Sequence, residues 1–139
     1  MASYNIRDAK PKASKCALLV IDMQRYFQSI ASLIIGNVLS IIEACRSRDM
    51  RIIFTRHGHE DISKDGGMLA QWWGDYIQYG SKEWELIKAL QPGDNEAILD
   101  KKRYNAFHGT GLDKSLKSIM VEELIIKEVE LNNAAQGIQ

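Results

Sequence analysis

Three observations predict an α/β fold, a three-layer sandwich with a parallel sheet at its centre. The run Ala17-Leu18-Leu19-Val20-Ile21 is continuously apolar and ends at Asp22, the pattern of a strand buried on both faces. Ile34, Val38, Ile41 and Cys45 then recur at helical spacing, with Glu43, Arg46 and Arg48 on the other faces, and Asp49 closes the helix. Arg51-Ile52-Ile53-Phe54-Thr55 follows at once as a second strand. Strand, helix and strand joined this closely make a βαβ unit, and a βαβ unit requires parallel strands.

The remaining elements follow in order. Residues 1–15 are polar and read as a flexible arm, which leaves one domain over residues 16–139. Residues 57–80 hold no period. Gly58, Gly66, Gly67, Gly74, Gly80 and the Trp72-Trp73 pair mark a long excursion with one short helix, and such loops often carry function. Residues 84–90 read as a helical turn stopped by Pro92-Gly93. Residues 96–99 are a third strand and residues 112–120 a helix, with Leu112, Leu116 and Ile119 on one face. Leu124-Ile125-Ile126 is a fourth strand, and a polar tail follows.

The bulk properties exclude several classes. A chain of 139 residues fits one domain, and 45% hydrophobic with 26% charged residues is the balance of a folded globular protein. Eighteen basic and eighteen acidic side chains cancel. The longest basic cluster, Lys101-Lys102-Arg103, is too short to imply a polyanion, so no nucleic-acid partner is expected. No apolar run is long enough to span a bilayer, and residues 1–15 lack the apolar core of a signal peptide. The expectation is therefore a cytoplasmic protein with no membrane partner. Cys16 and Cys45 form no CxxC pair, which excludes a zinc ribbon or thioredoxin-like motif and leaves two thiols.

Open parallel sheets bind ligands at the carboxyl ends of their strands, where Asp22, Thr55 and Asp100-Lys101 fall. Asp22 is either a cap or turn residue, or a carboxylate held ready to move a proton. Lys101 is either part of a solvated basic cluster or the ion-pair partner of Asp22 across the crevice. His57 and His59 flank Gly58, and an i, i+2 pair on extended chain puts both imidazoles on one side. They wall a polar pocket or offer two ligands to a divalent metal. A catalytic zinc needs three protein ligands and no third is identifiable, so no metal or other cofactor is favoured. Trp72 and Trp73 either wall a small planar ligand or cover the core.

Taken together, four segments resemble the isochorismatase-like cysteine hydrolases, an α/β family with a Rossmann-like parallel sheet. ALLVIDMQRYF, from Ala17, resembles their first strand and IIFTRHGH, from Ile52, their second strand and following loop. GGMLAQWW, from Gly66, is similar to a nicotinamidase-like subgroup. KKRYNAFHGTGL, from Lys101, is similar to the family's K-x-x-Y-S-A-F-x-x-T-x-L segment. The resemblance runs from about Cys16 to Ile126 and implies a small-molecule amide or related substrate. It implies a triad in which a cysteine thiolate attacks the amide carbonyl, an aspartate handles the proton and a lysine favours the thiolate. Asp22 matches the aspartate and Lys101, three residues before Tyr104, the lysine. Tyr104 and Phe107 join Trp72 and Trp73 as expected substrate-pocket residues. The family's metal-binding amidases carry D-x-H where this chain has His57 and His59.

The departures come after the fourth strand. The subgroup pattern G-V-M-T-N-L-C-C-E-T meets EVELNNAAQG here, from Glu128 to Gly137. Val129 and Asn132 fit, and Ala134 falls on the nucleophile position. Glu128 and Leu131 alter the loop that would form an oxyanion hole, and Asn105 replaces a serine. Family members continue past the position of Gln139, so a C-terminally truncated domain is expected, incomplete on that side of the sheet. Three functions follow: a nicotinamidase-type amidase, an isochorismatase-type vinyl-ether hydrolase using Asp22 without a cysteine, or a non-catalytic binding remnant. The last is favoured because alanine has no nucleophile. An apolar fourth strand at a sheet edge also leads us to expect self-association as a homo-oligomer.

Overall fold

The computed structural model describes residues 12–60, 76–102, 107, 109–118, 121 and 123–128. The expected arm lies outside the described residues except at its end, where Ala13–Lys15 forms a single 3-10 turn.

Four strands make one parallel sheet: β1 (Cys16–Ile21), β2 (Arg51–His57), β3 (Ala97–Lys101) and β4 (Glu123–Glu128), in the order β3-β2-β1-β4. The parallel pairing follows from the connections. A short helix α1 (Gln28–Ala31) and the longer α2 (Ile35–Ser47) fill the crossover from β1 to β2. Helix α3 (Leu112–Ser118) lies between β3 and β4.

All six residues of β1 are buried, as its unbroken apolar run predicts. Period-2 alternation divides them between two faces. Leu18 and Val20, with Ile52 and Phe54, pack on Val38, Ile42 and Cys45 of α2. Ala17, Leu19 and Ile21, with Ile53, pack on Leu112 and Leu116 of α3. Helix, sheet and helix are the three predicted layers. Each fully buried leucine or valine contributes roughly 1.5–3 kcal/mol against the unfolded chain.

The C-terminus of α2 is a Schellman motif. The amide of Met50 donates to the carbonyl of Cys45 at 3.0 Å and that of Asp49 to the carbonyl of Arg46 at 3.1 Å. Asp49 holds the required left-handed conformation, φ 53°, which aspartate tolerates better than most residues. Below it Arg46 grips the loop before β3. Its Nε and Nη2 donate to Glu96 at 2.9 and 2.7 Å, and Nη2 also reaches the Gln91 carbonyl at 3.0 Å.

Two expectations are corrected. The helical turn over residues 84–90 is a 3-10 turn only at Lys88–Leu90, because Leu86 bridges to Gln24 and takes the preceding segment into extended pairing. The buried stripe of α2 centres on Val38, Ile42 and Cys45, with Ile34 and Ile41 at its flank and only partly buried. Among the described residues no single helix is long and apolar enough to cross a membrane.

Candidate active site

β1 ends at Ile21, and the chain turns sharply at the next residue. Asp22 has φ 54°, the left-handed region, and its amide donates to both the carbonyl and the hydroxyl of Thr55 at 3.2 Å. The turn folds the carboxylate back over the sheet end. Thr55 Oγ1 donates to Asp22 Oδ1 at 2.9 Å, and Lys101 Nζ lies 2.9 Å from Oδ2. Lys101 is the last residue of β3, two strands away, and its side chain is fully shielded from solvent. Both carboxylate oxygens are thus occupied, one by a neutral donor and one by a cation. Burial pushes the Asp22 carboxyl above the usual carboxylate range, and Lys101 and Thr55 pull the other way.

Gln24, two residues past Asp22, is a polar side chain for which the sequence suggests no role. It is wholly buried. Its Oε1 accepts from the amide of His57 at 2.9 Å and its Nε2 donates to the carbonyl of His57 at 3.0 Å. The same Nε2 donates to the carbonyl of Trp84 at 2.6 Å. One amide side chain therefore ties the exits of β1 and β2 to the segment before Lys88. The only signal for it was a polar residue where the apolar run had just stopped.

His57 and His59 do turn to one side, with their Nε2 atoms 3.1 Å apart. At that distance one imidazole nitrogen donates to the other. Two imidazoles are an incomplete donor set for a catalytic metal, and among the described residues no group of three or more histidine, cysteine or acidic side chains could hold one. Between them Gly58 has a packing reason to be glycine: a Cβ would stand 2.6 Å from Cδ1 of Trp84. The Trp84 ring is held there by Arg56, whose guanidinium lies 3.6 Å from the ring centroid and is itself paired with Asp100 at 2.7 Å.

The two thiols sit elsewhere. Cys16 opens β1, six residues from Asp22, about 20 Å at the rise of a strand. Cys45 is on the buried face of α2, and burial pushes its thiol up against the opposing pull of Arg48. Phe107 is partly exposed. Trp72, Trp73, Tyr104 and Ala134 lie outside the described residues.

A parallel sheet with helices on both faces holds this buried carboxylate–ammonium pair at its carboxyl end, the edge at which open α/β sheets bind their ligands. The isochorismatase domain family matches residues 16–127, and the chain belongs to that family of hydrolases. Nicotinamidase 3 of Arabidopsis thaliana is 40% identical over 133 residues, 93% of this chain and 66% of that protein. Enterobactin synthase component B of Escherichia coli is 28% identical over 122 residues, 83% of this chain and 43% of that protein. The chain thus spans less than two thirds of these relatives. Among solved structures, a cysteine hydrolase from Pseudomonas syringae pv. phaseolicola superposes with a TM-score of 0.78 at 21% identity, covering 94% of this chain and 73% of that one. N-carbamoylsarcosine amidase from Thermoplasma acidophilum gives 0.73 at 23% identity, covering 82% and 67%. At these identities the structures speak for the fold alone.

Proposed function

We propose that this chain keeps the carboxylate and ammonium of a nicotinamidase-like site without its thiol nucleophile, and so binds a small amide without hydrolysing it at enzymatic rates. The observation that carries this reading is the separation of sulfur from the ion pair. The chain has two cysteines, and both are buried in the amino-terminal half of the sandwich while Asp22 and Lys101 close its carboxyl end. The family pattern assigns the nucleophile position to Ala134, whose methyl group cannot attack a carbonyl.

In the family reaction a thiolate adds to the amide carbon, the carboxyl group passes the thiol proton to the leaving nitrogen, and ammonia departs to leave a thioester. Asp22 and Lys101 can hold the proton and fix the charge balance, but the carbon–sulfur bond has no donor. The test is trapping with hydroxylamine in the presence of nicotinamide. A thioester would appear as the hydroxamate, and none is expected; hydroxamate formed at enzymatic rates would overturn the reading.

A second reading rests on the raised Asp22 carboxyl. A carboxyl whose hold on a proton is strengthened can act as a general acid in its protonated form, and protonation of a vinyl-ether carbon needs no thiol. Pyruvate release from isochorismate, abolished in Asp22→Ala, would support it. No release above the buffer rate would remove it.

A further inference from the structure

Three sulfur-bearing side chains, Cys16, Cys45 and Met50, line one pocket at the end of the sheet opposite the ion pair. Leu18 and Val20 face α2, so strand alternation turns Cys16 toward the same side. The register that pairs Ala17 with Arg51 sets Cys16 alongside Met50, whose side chain packs against that same cluster. Cys45 projects from α2 into the cluster, and the Schellman motif brings Met50 back over it. The three line one open pocket of about 300 Å³ together with Ile41, Arg48 and Ile125. Cys16 and Cys45 are 2% and 4% exposed, and neither is in a disulfide.

We propose that Cys16, Cys45 and Met50 form a binding site for a soft monovalent cation of the Cu(I) class. Two thiolates and a thioether in a pocket lined mainly by apolar side chains suit a soft ion that takes two or three sulfur ligands. They do not suit Mg²⁺ or Ca²⁺, which demand oxygen. Each thiol releases its proton to solvent as the metal binds. The resulting site carries one net negative charge, which the guanidinium of Arg48 offsets. The site shares no residue with the Asp22–Lys101 pair, so it stands or falls independently of the proposed function.

The experiment is a titration of the reduced full chain with Cu(I) under anaerobic conditions, in competition with bicinchoninate as a coloured Cu(I) chelator. One Cu(I) per chain is expected, with an all-sulfur ligand shell by X-ray absorption. Cys16→Ser and Cys45→Ser should each lose tight binding, and Met50→Leu should weaken it, with folding checked by circular dichroism. Should the serine variants fail to fold, the absorption spectrum of the wild-type chain decides alone. His57→Ala/His59→Ala should bind as the wild type does. No binding against the chelator, nitrogen ligands in the shell, or loss of binding only in the histidine variant would overturn the proposal. Full affinity in Met50→Leu would overturn the three-sulfur site.

Discussion

Lys101 Nζ and Asp22 Oδ2 stand 2.9 Å apart, and both side chains are buried. The pair joins the ends of two strands that do not touch, since β2 lies between β1 and β3. Removing one charge therefore strands the other in a poorly solvated site. Asp22→Asn is expected to cost about 3–5 kcal/mol, and Lys101→Met somewhat less, because the lone carboxyl can take a proton. Asp22→Asn combined with Lys101→Met should cost less than the sum of the singles. Urea unfolding of the four proteins checks this. Additive losses would mean that the two groups do not interact.

Gly58→Ala is expected to destabilise by about 1–3 kcal/mol. The new methyl group meets the Trp84 ring, and that ring cannot simply turn away: Arg56 covers it, and its backbone carbonyl is held by Gln24. A shift in tryptophan emission should accompany the loss. An unchanged melt and spectrum would contradict the packing described here.

The Arg46–Glu96 pair gives a pH signature. The Arg46 hydrogen bond holds the Glu96 carboxyl below its ordinary value of 4.5. A depressed carboxyl contributes stability that is present above the unfolded value and lost as pH falls through the folded one. Glu96→Gln should therefore cost stability near neutrality, about 1 kcal/mol since Arg46 is partly exposed, and progressively less below pH 4.5. Chemical denaturation across that window reads the difference. A gap that stays constant with pH would show that Glu96 acts by packing alone.

Among the described residues β4 is an edge, paired only with β1, and Ile125 and Ile126 are 37% and 49% exposed. An apolar edge strand is a template for another chain. The purified chain is expected to self-associate, and Ile126→Lys to reduce that in sedimentation velocity. A wild-type monomer at high concentration would contradict this.

The sandwich was legible because β1 and β2 are short apolar runs and the helix between them carries a helical period. The run from Ala17 to Ile21 fixed β1, and the alternation between it and α2 fixed the layers. Asp22 and Lys101 were legible as strand-end residues, and the family resemblance joined them. Thr55 falls at its strand end, but nothing in the sequence ties its hydroxyl to Asp22. The roles of Gln24 and Trp84 are not legible in the sequence. Their roles come from contacts 33 and 60 residues apart in the chain, and no local period encodes such distances. The helical turn expected over residues 84–90 failed for the same reason: the bridge between Gln24 and Leu86 is tertiary and overrides local preference.

The most direct measurement is ammonia release from nicotinamide by the purified chain, beside an Asp22→Ala control. Loss of a catalytic nucleophile costs about a million-fold in turnover, so no release above the buffer rate is expected from either protein. Turnover at ordinary enzymatic rates, on the order of 10 per second, that disappears in Asp22→Ala would contradict the account and show that another group supplies the nucleophile.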